Sequence, residues 1–243
     1  MHSELITNLI AVLVGLGVGT PILIKGLRTA DRPAIYLGLA VFLEGLEWLL
    51  WGISLYSPLA GTALGEASAV GCRLAITAMA AAMLLFTREV FRPKSRVATT
   101  LCGVALLAML VSIVGSGMLG DWAGYRSDHV WIWLENLTQL AVFAWAFAEP
   151  SAFYLRMRKR RQIGLGDPVV ANRILLWSIY GAGFTLSQLL WVAVISTSDD
   201  LAALDVVIAG SAIIGEIAVW LAFFPPKRYL SWLRSPDGTP SAS

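Results

Sequence analysis

Histidine and cysteine are nearly missing from this chain of 243 residues, with two of each. With only His2 and His129 available, paired-histidine haem ligation and multi-histidine zinc sites have no ligand set to draw on, and no metal or cofactor is expected. Cys72 and Cys102 fall inside apolar stretches, where a thiol packs as a small apolar group, so neither a disulfide nor a thiolate metal site is expected. Lysine is missing from every long apolar stretch. Lys25, Lys94, Lys159 and Lys227 all border one, which excludes a retinal Schiff base. A phosphate-cradling glycine loop and a nucleophile elbow are also lacking. The net charge of +2 resides in loops and no groove-reading motif accompanies it, so nucleic acid is not an expected partner.

Charged residues make up only 14% of the chain and hydrophobic ones 57%, a balance that cannot be sorted into a core and a wetted shell. The composition is that of a polytopic membrane protein. Seven stretches are long enough to cross roughly 30 Å of hydrocarbon as helices: Leu5 to Ile24, Ala34 to Tyr56, Ala67 to Val90, Val97 to Leu119, Trp131 to Tyr154, Arg173 to Ile195 and Leu201 to Phe224. They are continuously apolar instead of alternating, which excludes a barrel and makes the fold class all-α. The first stretch lacks a basic leader and is read as a span, not a signal peptide. Residues 1–230 form one transmembrane domain, and 231–243 read as a short disordered cytoplasmic tail.

All of the 18 basic residues except Arg73 and Arg126 lie at the ends that follow spans one, three, five and seven or at the start of span six. Those ends face the cytoplasm, with the amino terminus outside. A multi-pass protein of the plasma (inner) membrane is expected. The cluster Arg156, Arg158, Lys159, Arg160 and Arg161 is read as a topology determinant that also meets anionic lipid.

Spans one to three and five to seven share punctuation. Pro21 closes the first apolar segment and Pro150 the fifth, each followed by basic residues. Leu46-x-x-Leu49-Leu50-Trp51 recurs as Leu186-x-x-Leu189-Leu190-Trp191, and Phe91-Arg92-Pro93-Lys94 as Phe224-Pro225-Pro226-Lys227. Residues 5–91 and 131–224 thus read as two copies joined by a linker helix over 97–119, a pseudo-repeat of three plus one plus three.

Ionisable groups inside spans are costly and need a partner, a water-filled cavity or a task. Glu44 and Glu47 share one face of span two, Glu216 lies near the midplane of span seven, and Arg73 is the cation of span three. Glu135, followed by Asn136 and Gln139, occupies the outer part of span five. Asp205 starts span seven, and Ser187 and Gln188 lie in span six. By depth, Glu47, Arg73, Glu135 and Asp205, with His129, form an outward-opening cluster, while Glu44 and Glu216 form a deeper pair. Bland alternatives stand beside this: a Glu47–Arg73 salt bridge fixing register, an Arg73 that snorkels, a Glu135 at the interface, and neutral carboxyls that only join helices. Glu149 is read as a partner of nearby arginines. A carboxyl that resists ionisation suits proton coupling or acid catalysis, so Glu44, Glu47, Arg73, Glu135, Gln188 and Glu216 are the candidate ligand or proton-coupling residues. Trp51 and Trp191 are read as packing or as matched walls of a cavity.

The run Pro21-Ile22-Leu23-Ile24-Lys25-Gly26-Leu27-Arg28-Thr29, followed by Trp48-Leu49-Leu50-Trp51-Gly52, resembles a degenerate first repeat of the SWEET and PQ-loop transporters, although no Pro-Gln dipeptide occurs. The resemblance implies cytoplasmic hinges at Pro21 and Pro150 and a substrate bound between two rocking bundles. One carboxyl on span two and one on span seven, Glu44 and Glu216, are also similar to seven-span membrane terpene cyclases, which would make those residues catalytic. The expectation is a small-molecule transporter with an intramembrane carboxylate site suited to proton coupling; an acid-base enzyme and a seven-helix ligand sensor are the alternatives. The partners implied are the lipid bilayer and a small-molecule ligand, with self-association left open.

Overall fold

The computed structural model describes residues 2–56, 58–124, 128–163, 165, 167–197 and 202–234, and every regular element among them is helical. In chain order these are α1 (His2–Thr29), α2 (Arg32–Tyr56), α3 (Ala63–Phe91), α4 (Arg96–Met118), α5 (Val130–Gln162), α6 (Pro168–Thr197), α7 (Ala202–Phe223) and α8 (Lys227–Arg234). The first seven overlie the seven expected stretches. Five segments, Asn8–Thr29, Arg32–Leu55, Ala63–Phe91, Arg96–Met118 and Pro168–Ser196, are long and apolar enough to cross a membrane. The 33 residues of α5 are also long enough, but Glu135, Asn136 and Gln139 interrupt its apolar run. In α7 the described apolar run is Ile213–Phe223.

Helix starts follow from side-chain caps that satisfy the first free backbone N–H groups. Thr62 Oγ1 accepts from Gly65 N at 3.3 Å, opening α3. Ser95 Oγ accepts from Ala98 N at 3.2 Å, opening α4. Asp167 Oδ1 accepts from Val169 N at 2.8 Å, with Pro168 as the first helical residue of α6. The helix therefore begins five residues before the apolar span expected from Arg173, in a stretch where Asp167 and Pro168 suit a helix cap and first turn.

Pro21 and Pro150 lie inside their helices, as they do inside the expected spans, with α1 running on past Ile24 to Thr29 and α5 past Tyr154 to Gln162. A proline removes one backbone donor, but in a spanning helix the freed carbonyl has no better alternative conformation to seek, and the chain stays helical. The tail begins later than expected, since 231–234 belong to α8. The rest of the expected tail, 235–243, lies outside the described residues, as do Arg126 and the side chain of Asp205.

Six helices close a ring in which neighbours are α1–α2, α2–α3, α3–α5, α5–α6, α6–α7 and α7–α1. Helix α4 lies outside it against α5 and α3, turning Leu101, Val104, Leu107, Leu110 and Val114 outward. Inside the ring Ile22, Leu37, Val41, Met79, Met83, Phe143, Tyr180 and Val219 form one buried cluster. Lipid is as apolar as these side chains, so association rests on close packing more than on the hydrophobic effect. The α1–α2 crossing shows how: a Cβ on Gly45 would lie 2.6 Å from the Leu16 backbone nitrogen, and one on Gly15 2.7 Å from the Gly45 Cα. Only glycine allows backbones that near.

Candidate functional site

The ionisable groups expected to share one chamber separate into two clusters. The first is centred on Arg73 of α3, which is 7% exposed and does not snorkel. Its Nε donates to Glu135 Oε2 of α5 at 2.9 Å, and its Nη2 bonds the same oxygen. The Nη1 donates to the backbone oxygens of Asp121 and Trp122 at 3.0 and 3.3 Å, and Nη2 to Ser116 Oγ at 3.0 Å. These contacts match the five N–H donors of a guanidinium. Glu135 is buried, not interfacial, and its Oε1 lies 2.9 Å from Thr77 Oγ1 and 3.4 Å from Gln139 Nε2.

The salt bridge anticipated between Glu47 and Arg73 is not formed, because the α3–α5 contact places Glu135 nearer the guanidinium. His129 lies beside Asp121 of the α4–α5 loop, Nε2 to Oδ2 3.2 Å. Gln188 donates from Nε2 to Asn136 Oδ1 at 2.9 Å and is 3% exposed, so it joins α6 to α5 instead of lining a binding site. Glu149 pairs with Arg92 at 2.8 Å, the role expected of it, with an arginine of the α3–α4 connection. The Arg73–Glu135 core of this cluster is internally satisfied and ties α3, α4 and α5 together, while at its edge the buried Nδ1 of His129 has no hydrogen-bond partner among the described residues.

The second cluster is different. Glu44 of α2 and Glu216 of α7 are both 0% exposed. Tyr180 of α6 donates its hydroxyl to Glu44 Oε2 at 3.0 Å. Glu216 reaches across the α7–α1 contact, where its Oε1 would lie 2.7 Å from a Cβ built on Gly15. The adjoining Gly45, next to Glu44 in the chain, meets the same stretch of α1. Glu44, Glu216 and the half-buried Glu47 are near enough to act on one another electrostatically. Glu47 thus belongs with this deeper group and not with Arg73.

Three buried carboxylate oxygens, Glu44 Oε1 and both oxygens of Glu216, have no hydrogen-bond partner among the described residues. Native interiors rarely leave such acceptors unmatched. Ionising two neighbouring carboxyls in low dielectric sets like charges against each other, and the span cation that might offset them, Arg73, is committed to Glu135. A proton or a bound cation must supply the compensation. Among the described residues no group of three or more metal-ligating side chains is placed to hold a metal ion.

Tyr180 was not a candidate on sequence, although a signal was present. Tyrosines favour membrane interfaces, and Tyr36, Tyr56 and Tyr229 sit near helix ends, whereas Tyr180 sits mid-helix. Trp51 and Trp191, the repeat-matched pair, meet edge to face with ring centroids 6.0 Å apart, so they pack on each other across the ring. On the outer surface of α1 and α7, a groove of about 310 Å³ is lined by Leu13, Val14, Gly17, Val18, Ile217 and Trp220. No protein-family model matches the chain, and no match is found among curated proteins or solved structures.

Proposed function

We propose that the chain is a small-molecule transporter of the plasma (inner) membrane, crossing it seven times in a three-plus-one-plus-three order, with Glu44 and Glu216 as its proton-coupling site. The ring order supports this arrangement: α1–α3 and α5–α7 are each contiguous, they meet at α3–α5 and α7–α1, and α4 lies outside as a linker would. The groups of the site bridge the two halves, as the Arg73–Glu135 pair also does at α3–α5. Tyr180 of the second half holds Glu44 of the first, and Glu216 of the second rests on Gly15 of the first.

The observation that carries the reading is the set of three partnerless, fully buried carboxylate oxygens at this junction. Bundles that rock against each other change the contacts at their seam, so a proton taken or released there is coupled to the motion. An intramembrane enzyme needs no such placement across a seam.

The test is uptake by proteoliposomes under an imposed pH gradient, using a panel of radiolabelled neutral, anionic and cationic solutes. Saturable, gradient-driven accumulation of at least one solute is expected, lost in Glu44→Gln and in Glu216→Gln. Accumulation of none, or an unchanged pH profile in both variants, removes the reading.

A further inference from the structure

We propose that the substrate of this site is a lipophilic organic cation that enters sideways from the bilayer through the α1–α7 groove and places its charge against Glu216 and Glu44. The inference rests on the transport reading and adds the substrate class and the route.

The groove and the carboxyl share a wall. Val14 and Ile217, which line the groove, are the immediate neighbours of Gly15 and Glu216, whose contact closes the helix crossing beneath it. Leu13, Ile217 and Trp220 are 63, 48 and 41% exposed on the lipid-facing side, so the groove opens to hydrocarbon and not to an aqueous vestibule. A Cβ added to Gly17 would meet nothing within 4 Å, which marks real space between the two helices. An apolar solute from the bilayer fits such walls. Trp220 adds an aromatic face that attracts a cation as well as an apolar ring.

Charge selects the rest. The groups facing Glu216 are Glu44 and Glu47 from α2 and Tyr180 from α6, with Gly15 from α1 and, beyond Glu47, Cys72 of α3. None of them is a cation. An anionic solute meets only repulsion here and a neutral one brings no countercharge, whereas a cation supplies the missing positive charge. Cation and proton then compete for the same carboxyls, which makes the exchange obligatory: loading the cation expels the proton. Acidification therefore weakens cation binding.

Tetraphenylphosphonium and tetraphenylborate provide probes of matched shape and opposite charge. Binding is measured by equilibrium dialysis on the full chain in phosphatidylcholine nanodiscs, with empty nanodiscs subtracting partition into lipid. Saturable tetraphenylphosphonium binding is expected, weakened by acid, not displaced by tetraphenylborate, and at least about tenfold weaker in Glu216→Gln. Gly17→Leu, at a position where a Cβ meets nothing within 4 Å, puts a side chain into the groove and is expected to weaken binding similarly while retaining the wild-type circular dichroism. Absent binding, equal displacement by tetraphenylborate, or wild-type affinity in both variants overturns the inference. Gradient-driven uptake of other solutes without tetraphenylphosphonium binding would overturn this inference alone. Tetraphenylphosphonium binding without uptake of any solute would overturn the transport reading instead.

Discussion

Arg73 and Glu135 form a two-pronged pair across α3 and α5, Nε to Oε2 2.9 Å, with both side chains almost wholly withdrawn from solvent. The pair is satisfied on both sides, by Ser116 and two backbone oxygens around the guanidinium and by Thr77 and Gln139 around the carboxylate. Removing one partner strands the other in a site that cannot solvate it. Glu135→Leu or Arg73→Met alone is expected to destabilise the fold by about 3–5 kcal/mol, whereas the double variant recovers most of that loss because no unpaired charge remains. Thermal unfolding in mild detergent, followed by tryptophan fluorescence, checks this. Single variants that melt with the wild type would show that the pair does not hold α3 to α5.

The sequence placed most of the fold because membrane insertion leaves few choices. Long apolar runs had to be helices, and Ser95 and Asp167 stood where caps are needed. Pairing was less legible. Glu47 and Glu135 are both acidic and both lie within helices, so either was a reasonable partner for Arg73; the choice was settled by α3 packing on α5, a long-range contact that no local pattern records. The same holds for Gln188, whose partner Asn136 lies 52 residues away. Pro21 and Pro150, read inside spans that end at Ile24 and Tyr154, lie inside longer helices, since a rule that ends helices in water is relaxed where backbone groups have only one another.

The α1–α2 crossing gives a contrast between two glycines of the same bundle. A Cβ at Gly45 would lie 2.6 Å from the Leu16 nitrogen, a backbone atom that cannot turn aside, while a Cβ at Gly17 meets nothing within 4 Å. Gly45→Ala is expected to force the helices apart and lose about 1–3 kcal/mol. Gly17→Ala is expected to be neutral or to stabilise by up to about 1 kcal/mol, through the better helix propensity of alanine. Melting the two variants side by side reads the difference directly. A Gly45→Ala protein as stable as Gly17→Ala would mean that the crossing is looser than described.

The seven-crossing topology makes the most stringent demand, since it fixes which side each connection faces. Cys72 and Cys102 are buried free thiols, so replacing both by alanine gives a quiet background for single engineered cysteines. Ala60 in the α2–α3 connection and Asp128 before α5 belong outside if the amino terminus is outside. Lys94 in the α3–α4 connection, Arg160 near the end of α5 and Lys227 at the start of α8 belong in the cytoplasm. A membrane-impermeant maleimide applied to intact cells is expected to label Ala60→Cys and Asp128→Cys, and to reach Lys94→Cys, Arg160→Cys and Lys227→Cys only after permeabilisation. The Asp128 and Arg160 sites test α5, whose polar interruption by Glu135, Asn136 and Gln139 sets it apart from the five continuously apolar segments. If those two sites label alike, α5 does not cross. The Arg160 and Lys227 sites share a side if α6 and α7 both cross, so Lys227→Cys labelled from outside would leave the second half one span short and dissolve the seam on which Glu44 and Glu216 meet.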